Sequence, residues 1–520
     1  MWQVNTYCLD LTIAWSSIQP WEVLRLKWIQ CTPIVYFRVG NLVLPNHPLV
    51  VDLDGTLIHT DMLHESSMWL LRDKPVRALG IPFLLLRGKA VLKAKLAAST
   101  DFSPETLPYN VELIEWLKSE RASGRRLILC TASDQTIAHK IAEHLQIFDE
   151  VIASDGQMNL AGGHKADALV KRFGESGFDY AGNSSKDLLV WEKANRAVVV
   201  NGKRNLAGFA AEVCDLEKEF PPKPIRASTW ARVLRVHQWL KNLLLFVPLL
   251  AAHQLENIDG WIALVLSFFA FGLCASSVYI TNDLLDLESD RAHPRKRSRP
   301  FASGLVPIWM GVIIAPLLLV VSLLLAWVVG WPFLSWLLFY FLVTVAYSFY
   351  LKRLVLIDCL VLALLYTLRI VAGAAAIGLG LTFWLLAFSV FLFLSLAFIK
   401  RYAELEIKIL DGNQKLHGRG YHTADAVLVQ TMGIVSGYVS VLVLALYLNS
   451  AAVVELYTRP EIVMGAVPVM LFWVSWMWLQ AHRGQMHDDP LVFAVKDGAS
   501  LLAGFVFAIV LVLGSMGLPW

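Results

Sequence analysis

The sequence predicts two domains: a Rossmann-like α/β domain with a small helical cap, followed by an all-α membrane domain of nine transmembrane helices. First, the 520 residues are 56% hydrophobic and 17% charged, whereas about a quarter of the residues in a soluble globular protein are charged. Second, long apolar runs begin only after about residue 225. Third, short apolar runs alternate with helix-length segments before that point, which is typical of a parallel sheet covered by helices on both faces.

The charge and cysteine patterns exclude two other classes of protein. The 45 lysines and arginines nearly balance the 42 aspartates and glutamates, and the resulting net charge of +3 is too small to indicate a nucleic-acid partner. The six cysteines are scattered without a Cys-x-x-Cys pair, so they indicate neither a disulfide scaffold nor a zinc site. Residues 1–45 lack the pattern of a secretory signal peptide and are interpreted as an N-terminal extension without an assigned role.

The soluble domain is predicted over residues 46–212. A mostly helical insert at 60–107 separates its first two strands and is expected to cap the carboxyl ends of the strands, where open α/β sheets bind ligands. The following segment, 213–229, is predicted to be a linker, because residues 215–229 are polar and contain three prolines. The predicted strands are 48–52, 126–130, 150–153, 178–182 and 197–200.

The membrane domain is predicted over residues 230–520, because it contains nine apolar stretches of about 20 residues, enough to cross a bilayer. The loops after spans two, four, six and eight carry nearly all the loop lysines and arginines, whereas the opposite loops carry only Arg459. This asymmetry predicts a bacterial-type inner-membrane protein with a cytoplasmic soluble domain, cytoplasmic charged loops and an outside C-terminus. The predicted spans are 234–253, 261–281, 307–328, 332–350, 354–377, 382–399, 425–448, 460–481 and 499–517.

Two carboxylates, Asp52 and Asp54, follow the first predicted strand in the segment Asp-Leu-Asp-Gly-Thr. At the end of a strand, side chains two residues apart can point into one cleft, and the glycine permits a sharp exit. One carboxylate can then attack phosphorus while the other protonates the leaving oxygen, as covalent phosphoryl transfer requires. Taken alone, the segment could also be a strand-end turn capped by aspartate.

Three later residues favour the phosphoryl-transfer interpretation. Thr131 ends the next strand and is suited to bind a phosphate oxygen. Lys165 follows two glycines and a histidine, and its ammonium could neutralise the phosphoryl group and the nucleophile. Asp187 follows the strand 178–182 and could join Asp52 in holding Mg²⁺, which prefers carboxylate, phosphate and water oxygens.

In this order and spacing, the residues resemble the haloacid dehalogenase superfamily of phosphatases over about residues 46–210. The resemblance implies that Asp52 forms an aspartyl-phosphate, that Asp54 is the general acid and base, and that Thr131 and Lys165 orient phosphate. It also implies a Mg²⁺ site built from Asp52, Asp54, Asp187 and Asn183. Asn183 stands where many family members have aspartate, so metal affinity is expected to be lower, and a non-catalytic sensor of phosphorylated metabolites remains an alternative.

A second acidic motif lies at the end of the second predicted span. Asp283, Asp286 and Asp290 have spacings of three and four, which predict that they share one helix face beside Asn282. Packed carboxylates repel one another unless cations bind among them, and Mg²⁺ bridging to a diphosphate meets this need. The alternative is a solvated charge run next to the membrane.

Nine spans with this Asn-Asp-x-x-Asp-x-x-x-Asp motif resemble the UbiA superfamily of intramembrane transferases. Most members ionise a prenyl diphosphate with Mg²⁺ and carry a second Asp-x-x-x-Asp motif after span six, whereas here that loop begins with Lys400 and Arg401. Because cations suit an anionic acceptor, this departure favours the branch typified by decaprenyl-phosphate phosphoribosyltransferase. The segments 236–242, 347–353 and 488–490 also resemble that branch.

This branch implies transfer of 5-phosphoribose from phosphoribosyl diphosphate to a polyprenyl phosphate. Asp283, Asp286 and Asp290 would hold Mg²⁺ and the leaving diphosphate, and no general base is needed, since the acceptor is already anionic. Asp411 is a further candidate for contact with the ribose or with a second metal. The expected substrate contacts are Asn282, Lys241, Arg291, Lys296, Lys352, Lys400, Arg401 and Glu404.

The fusion suggests that the soluble domain removes a phosphate, such as the ribose 5-phosphate, from the membrane domain's product, because tethering raises the effective concentration of one site near the other. A true prenyltransferase that moves a prenyl group from a prenyl diphosphate to an aromatic or isoprenoid acceptor is the alternative. Two ionisable residues in or near span five, Asp358 and Arg369, either face a cavity or pair structurally.

Overall fold

The computed structural model describes residues 47–516 except 79, 87, 156–158, 204, 411–418, 451–452, 454–456 and 487–488. The N-terminal extension and Asp411 therefore lie outside the described residues. Residues His47–Trp520 form one compact unit. Within it, an α/β domain precedes a helical membrane domain, as predicted.

The soluble domain is built on a six-stranded parallel sheet in the order β3-β2-β1-β4-β5-β6. All five predicted strands are confirmed. The sheet places β1 at its centre, between β2 and β4, so the residues that follow these three strands meet at one edge. The strands are β1 (Leu49–Val51), β2 (Leu127–Asp134), β3 (Glu150–Ser154), β4 (Asp179–Gly182), β5 (Arg196–Val200) and β6 (Asp215–Phe220).

The sixth strand corrects the predicted linker. Residues Asp215–Phe220 pair in parallel with β5 and belong to the soluble domain. The strand was missed because its sequence is charged, and this composition suits an edge strand with exposed side chains. Its last residue, Phe220, is buried and packs on Trp116, with ring centroids 5.7 Å apart. The segment between the domains is therefore shorter than predicted.

Helices cover both faces of the sheet. Val50 of β1 faces one core together with Leu169, whereas its neighbours Leu49 and Val51 face the other with Ile141, as the alternation of a strand requires. The insert between β1 and β2 is helical, as predicted, and has a small core of its own. The helices are α1 (Met62–Asp73), α2 (Pro75–Ala78), α3 (Ile81–Leu86), α4 (Lys89–Ala97), α5 (Val111–Ala122), α6 (Gln135–Leu145), α7 (Gly163–Phe173), α8 (Leu188–Trp191) and α9 (Leu206–Val213).

The second domain makes the chain a polytopic membrane protein. Among the described residues, eight helices are long and apolar enough to span a bilayer. They correspond to the predicted spans two to nine. The helices of this domain are α10 (Ala227–Val233), α11 (Val247–Ala251), α12 (Ile258–Leu285), α13 (Leu287–Ala292), α14 (Ile308–Val329), α15 (Trp331–Phe349), α16 (Ile357–Ala376), α17 (Phe383–Leu410), α18 (Ala426–Leu448), α19 (Pro460–Val463), α20 (Ala466–His482), α21 (Pro490–Ala494) and α22 (Gly498–Met516).

The first predicted span is not one long helix. It consists of a 3₁₀ helix, Val236–Phe246, followed by α11, which has Pro248 near its start. The 3₁₀ segment buries two polar residues, Lys241 and Asn242, in the interior of the domain, where both have polar partners. A buried polar group needs such partners. The apolar pattern alone did not reveal this interruption.

Candidate active sites

The turn after β1 positions Asp52 and Asp54 at the carboxyl edge of the sheet. The Asp52 N–H donates to the carbonyl of Ala181 in β4 at 3.0 Å, which continues the sheet ladder up to the first carboxylate. Gly55 then adopts a φ of +77°. A Cβ at this position would lie 2.0 Å from the Asn183 side-chain nitrogen, so only glycine permits this close approach.

A chain of hydrogen bonds connects the first carboxylate to the far side of the site. Lys165 Nζ donates to Asp52 Oδ1 at 2.6 Å and to the Tyr180 hydroxyl at 2.9 Å. The Tyr180 hydroxyl donates to Asp187 Oδ1 at 3.0 Å. Burial alone would lower the pKa of Lys165, but the negative charge of Asp52 outweighs it and the pKa is raised, so Lys165 stays charged. Tyr180 was not among the residues predicted to form the site.

The Asp187 carboxylate also stabilises its own loop. Its Oδ2 accepts hydrogen bonds from the backbone of Asn183 at 3.1 Å, from the backbone of Ser184 at 2.9 Å and from the Ser184 hydroxyl at 2.9 Å. This capping arrangement fixes the loop that carries Asn183 beside Gly55. The role of Asp187 as a metal ligand stays a prediction. Its hydrogen bonds show that it orients the loop that carries Asn183.

Asp54 is held at the entrance of the cap. Its Oδ1 accepts from the Met62 N–H at the start of α1 at 2.8 Å, and its Oδ2 accepts from the Ser133 hydroxyl at 2.7 Å. Burial, reinforced by the charges of Asp61 and Asp52, raises the pKa of Asp54 to about 7. A carboxyl group with this pKa can both donate and accept a proton near neutral pH.

Thr131 lies in β2 and is fully buried. Its hydroxyl oxygen accepts from the Ser133 N–H at 3.0 Å, and Ser133 in turn contacts Asp54. From the cap, Lys93 Nζ donates to the Ala132 carbonyl at 2.8 Å. Ser133 and Lys93 were missed from the sequence, because neither belongs to the motif residues that drew attention.

The side-chain oxygen atoms near Asp52 are suited to bind a divalent cation. Lys165 donates to Oδ1, whereas Oδ2 accepts a long contact of 3.4 Å from the Thr56 hydroxyl. Asn183 adds an amide beside the same turn. Over the described part of the chain, no group of three or more Asp, Glu, His and Cys side chains is gathered as a metal site. A magnesium ion here would therefore rely on phosphate and water oxygens for much of its coordination.

The pKa of Asp54 predicts the pH dependence of phosphate-ester cleavage. Below about pH 7 Asp54 is protonated and can donate to the leaving oxygen, and above that pH it loses this proton. We expect kcat/KM for an alkyl phosphate to fall above about pH 7, by about tenfold per pH unit. For 4-nitrophenyl phosphate, whose leaving group needs little protonation, the fall should be much weaker. If kcat/KM falls equally steeply above pH 7 for both esters, the assignment of Asp54 as the general acid is wrong.

The acidic motif of the membrane domain differs from the predicted single helix face. Helix α12 ends at Leu285, and Asp286 lies in the break before α13. Asp283 and Asp290 nevertheless come together, because Arg299 Nη1 lies 3.1 Å from Asp283 Oδ1 and 2.5 Å from Asp290 Oδ2. Arg235 also pairs with Asp283. Positive charges do lie among these carboxylates, as the repulsion between the carboxylates requires. These charges are the guanidinium groups of Arg235 and Arg299.

Other residues that were predicted around this motif interact with other side chains of the chain. Asn282 donates from its amide to the Ser348 hydroxyl at 3.0 Å and thereby connects α12 to α15. Lys296 lies 3.9 Å from Asp290. Burial lowers the pKa of Lys352, and the charge of Asp286 opposes this shift. Three of the predicted substrate contacts, Asn282, Lys296 and Lys352, therefore lie near the motif.

The membrane domain contains a buried lysine cluster, in which Lys241, Asp489 and Tyr366 are buried and Lys400 is 31% exposed. Lys241 Nζ is 2.8 Å and Lys400 Nζ 3.2 Å from Asp489 Oδ2. The Tyr366 hydroxyl is 3.0 Å from both Asp489 oxygens. Burial alone would raise the pKa of Asp489, but the two lysines outweigh it and the pKa is held below its usual range. Two lysines share one carboxylate, so the cluster is suited to attract an anion.

Arg401 and Glu404 pair with residues of the chain itself, and their role as substrate contacts stays a prediction. The Arg401 side chain is fully buried, lies 2.6 Å from Asp358 and pairs with Glu404. Arg419 approaches both acids, at 3.3 Å from Asp358 and 3.5 Å from Glu404. The Tyr421 hydroxyl donates to Asp358 at 2.6 Å. The four charged side chains pair with one another, although two Arg401 nitrogens, Nε and Nη2, have no hydrogen-bond partner among the described residues. These contacts favour the structural interpretation of Asp358.

Replacing Asp358 with asparagine is expected to destabilise the protein by about 3–5 kcal/mol, because it removes one of the two carboxylates that pair with the buried Arg401. The change should lower the unfolding midpoint in detergent, and transferase activity per folded molecule should be retained. The matched control is Asp259→Asn, the same change at an exposed position of α12. Equal midpoints for the two variants would show that the network contributes little.

Two family models match the chain. The model of the UbiA prenyltransferase family matches residues 243–501. The model of haloacid dehalogenase-like hydrolases matches residues 49–189. The first range contains the acidic motif and every member of the buried lysine cluster except Lys241, and the second contains Asp52, Lys165 and Asp187. Both resemblances found in the sequence are confirmed.

Three relatives cover different parts of the chain. The protein y4nM of Sinorhizobium fredii, described as uncharacterized, is 37% identical over 468 residues, 89% of this chain and 90% of that one. The nodulation protein NoeC of Azorhizobium caulinodans is 38% identical over 290 residues, 55% of this chain and 92% of that one. The decaprenyl-phosphate phosphoribosyltransferase of Mycolicibacterium smegmatis is 38% identical over 191 residues, 36% of this chain and 60% of that one.

Proposed function

We propose that this chain, which belongs to the UbiA prenyltransferase family and carries an additional haloacid dehalogenase-like hydrolase domain, transfers 5-phosphoribose from phosphoribosyl diphosphate to a polyprenyl phosphate. The observation that carries the proposal is the buried lysine cluster, because Lys241 and Lys400 share the single carboxylate of Asp489. A neutral phenolic acceptor would have no use for two neighbouring ammonium groups, one of them buried, whereas the phosphate of a lipid would. The similarity to decaprenyl-phosphate phosphoribosyltransferase supports the same reaction.

In the proposed transfer, an oxygen of the lipid phosphate forms a bond to C1 of the ribose while the bond from C1 to the diphosphate breaks. The diphosphate leaves with the bonding electron pair, and no proton has to move, since the acceptor is already an anion. The lysines would orient the acceptor phosphate, and Arg235 and Arg299 would meet the charge that develops on the diphosphate. Stabilising this charge in a site shielded from water is expected to be the main source of rate acceleration.

The acidic motif would hold Mg²⁺ together with the diphosphate. Asp283 and Asp290 are the carboxylates that already lie together through Arg299, and Asp286 lies in the break between their helices. When bound, the metal would neutralise diphosphate charge and make it a better leaving group. The amide of Asn282, held by Ser348, would keep the end of α12 in place.

The soluble domain would then remove the phosphate group at position 5 of the ribose in the lipid-linked product. The Asp52 carboxylate would form a bond to phosphorus while the bond from phosphorus to the ribose oxygen breaks, and Asp54 would donate its proton to that oxygen. A water molecule, deprotonated by Asp54, would attack phosphorus and release phosphate, which regenerates Asp52. Lys165 and Thr131 would orient the phosphoryl group, and Mg²⁺ at Asp52 and Asn183 would neutralise its charge.

The loop cations support a cytoplasmic location of the soluble domain and of the charged loops. Phosphoribosyl diphosphate would then reach the acidic motif from the cytoplasm, while the lipid enters from the bilayer. If the segment Val236–Ala251 crosses the bilayer together with the eight long helices, the C-terminus lies outside.

Purified protein in detergent with Mg²⁺ and phosphoribosyl diphosphate labelled in the ribose tests the proposal. We expect label to enter the organic phase only when polyprenyl phosphate is added. Omission of the lipid is the control for carry-over of free label. Without lipid-linked label the proposal fails. Turnover of prenyl diphosphate with a phenolic acceptor in the same preparation would instead establish the prenyltransferase alternative.

A further inference from the structure

Helix α1 of the soluble domain contacts residues of both candidate active sites. Its first N–H, on Met62, donates to the Asp54 carboxylate at 2.8 Å. One turn later, the Glu65 carboxylate accepts two hydrogen bonds from Arg291 of the membrane domain, at 2.6 Å from Nη2 and 3.1 Å from Nη1. Both side chains are nearly buried, with 11% of Glu65 and 7% of Arg291 exposed. Arg291 directly follows Asp290 of the acidic motif.

The remaining donors around this ion pair hold it in one orientation. The Thr60 hydroxyl donates to Glu65 Oε1 at 2.7 Å, and Arg291 Nε donates to the Ala302 carbonyl at 2.8 Å. A bidentate pair between arginine and carboxylate fixes the plane of the guanidinium as well as its position. The position of Glu65 therefore determines the position of the Arg291 guanidinium, which in turn determines where Arg291 binds the Ala302 carbonyl.

The surrounding contacts show that the two domains pack closely at this point. Gly304 has a φ of +72°, and a Cβ there would lie 2.5 Å from the Cβ of His59, which only glycine avoids. Met68 of α1 packs against an apolar cluster that includes Ile280 and Leu284 of α12. The ion pair is consequently shielded from water, and removal of one partner leaves the other charge buried.

The loop between Asp290 and Ala302 is held at both ends. At its start, Asp290 pairs with Arg299, which also reaches Asp283. At its end, the Ala302 carbonyl is bound by Arg291, and Arg291 is bound by Glu65. The shape of the loop that presents Arg299 to the acidic motif thus depends on a carboxylate from the other domain.

We propose that Glu65 is a positioning residue of the transferase, supplied by the soluble domain. By orienting Arg291, it holds the loop 290–302 in the shape that binds the diphosphate of phosphoribosyl diphosphate, so the membrane site is incomplete without the soluble domain. The identity of the substrate in this inference rests on the proposed phosphoribosyl transfer. The ordering of the loop by Glu65 does not depend on that proposal. Glu65 contacts no reacting atom in this proposal.

Steady-state kinetics of the full chain test the positioning role. Glu65→Gln should raise KM for phosphoribosyl diphosphate by about tenfold or more, with kcat and KM for the lipid changed less than about twofold. The matched control is Glu175→Gln, which removes the exposed carboxylate 2.7 Å from Lys193 and should leave all three values unchanged. The conservative variant Glu65→Asp, which keeps a carboxylate for Arg291, should retain more of the affinity than Glu65→Gln does. An unchanged KM in Glu65→Gln would overturn the proposal.

Amide hydrogen exchange of the ligand-free full chain separates this inference from the proposed function. Glu65→Gln should speed exchange in the loop 290–302 by about tenfold or more, whereas Glu175→Gln should not. If the wild type transfers no phosphoribose, the proposed function fails while faster exchange still supports the positioning of the loop by Glu65. Unchanged exchange in Glu65→Gln overturns the positioning role whatever the substrate is.

Discussion

Replacing Asp52 with asparagine is expected to lower phosphatase turnover by about three orders of magnitude or more, because the amide cannot attack phosphorus. The buried Lys165 loses its carboxylate partner, so the unfolding midpoint should also fall, and turnover is compared per folded molecule. Lys165 retains its hydrogen bond to the Tyr180 hydroxyl, and Asp187 continues to hold its loop through four acceptor contacts. Transferase activity should be unaffected, since Asp52 contacts no residue of the acidic motif.

The measurement uses the labelled ribose and separates the two lipid products. In the wild type we expect the dephosphorylated lipid, and in Asp52→Asn the lipid that retains the ribose phosphate. Asp101→Asn is the matched control, because Asp101 carries an exposed carboxylate 3.7 Å from Lys140. If Asp52→Asn gives the same products as the wild type, the ribose phosphate is not the substrate of the soluble domain, and the sensor alternative gains support.

The soluble domain could be predicted well because its signals are local. The five buried strands are short apolar runs, and the residues that carry the chemistry follow them directly. β6 was missed for a physical reason: an edge strand exposes its side chains, so Asp215–Phe220 has the composition of a loop. Tyr180 was also missed, since a tyrosine in a buried strand is usually a core residue and its hydroxyl contacts become visible only in three dimensions.

The membrane domain could be predicted less completely, because its charged residues pair over long distances in sequence. The acidic motif was found from its spacing, but the break at Asp286 and the bridging Arg299 were not. Arg401 lies in a segment that also contains Lys400, yet the two point to different partners, Asp358 and Asp489. Sequence spacing on one helix gives no information about which acid from another helix each cation meets.

Replacing Asp283 with asparagine is expected to reduce lipid-linked label by about three orders of magnitude, because a carboxylate that would hold Mg²⁺ and diphosphate loses its charge. The matched control is Asp259→Asn, the same change at the exposed start of the same helix. Asp283 also pairs with Arg235 and Arg299, so a loss of activity could follow from unfolding rather than from the chemistry.

Two measurements on the Asp283→Asn variant separate these causes. The unfolding midpoint in detergent should fall only modestly, because Arg299 keeps Asp290 as a partner at 2.5 Å and Arg235 remains partly exposed. Raising the Mg²⁺ concentration should recover part of the activity if the carboxylate acts through the metal, since weaker binding is offset by mass action. Full activity in a folded Asp283→Asn variant would remove the acidic motif from the mechanism. The buried lysine cluster would then have to bind the diphosphate as well as the acceptor, which two ammonium groups shared with Asp489 are poorly suited to do.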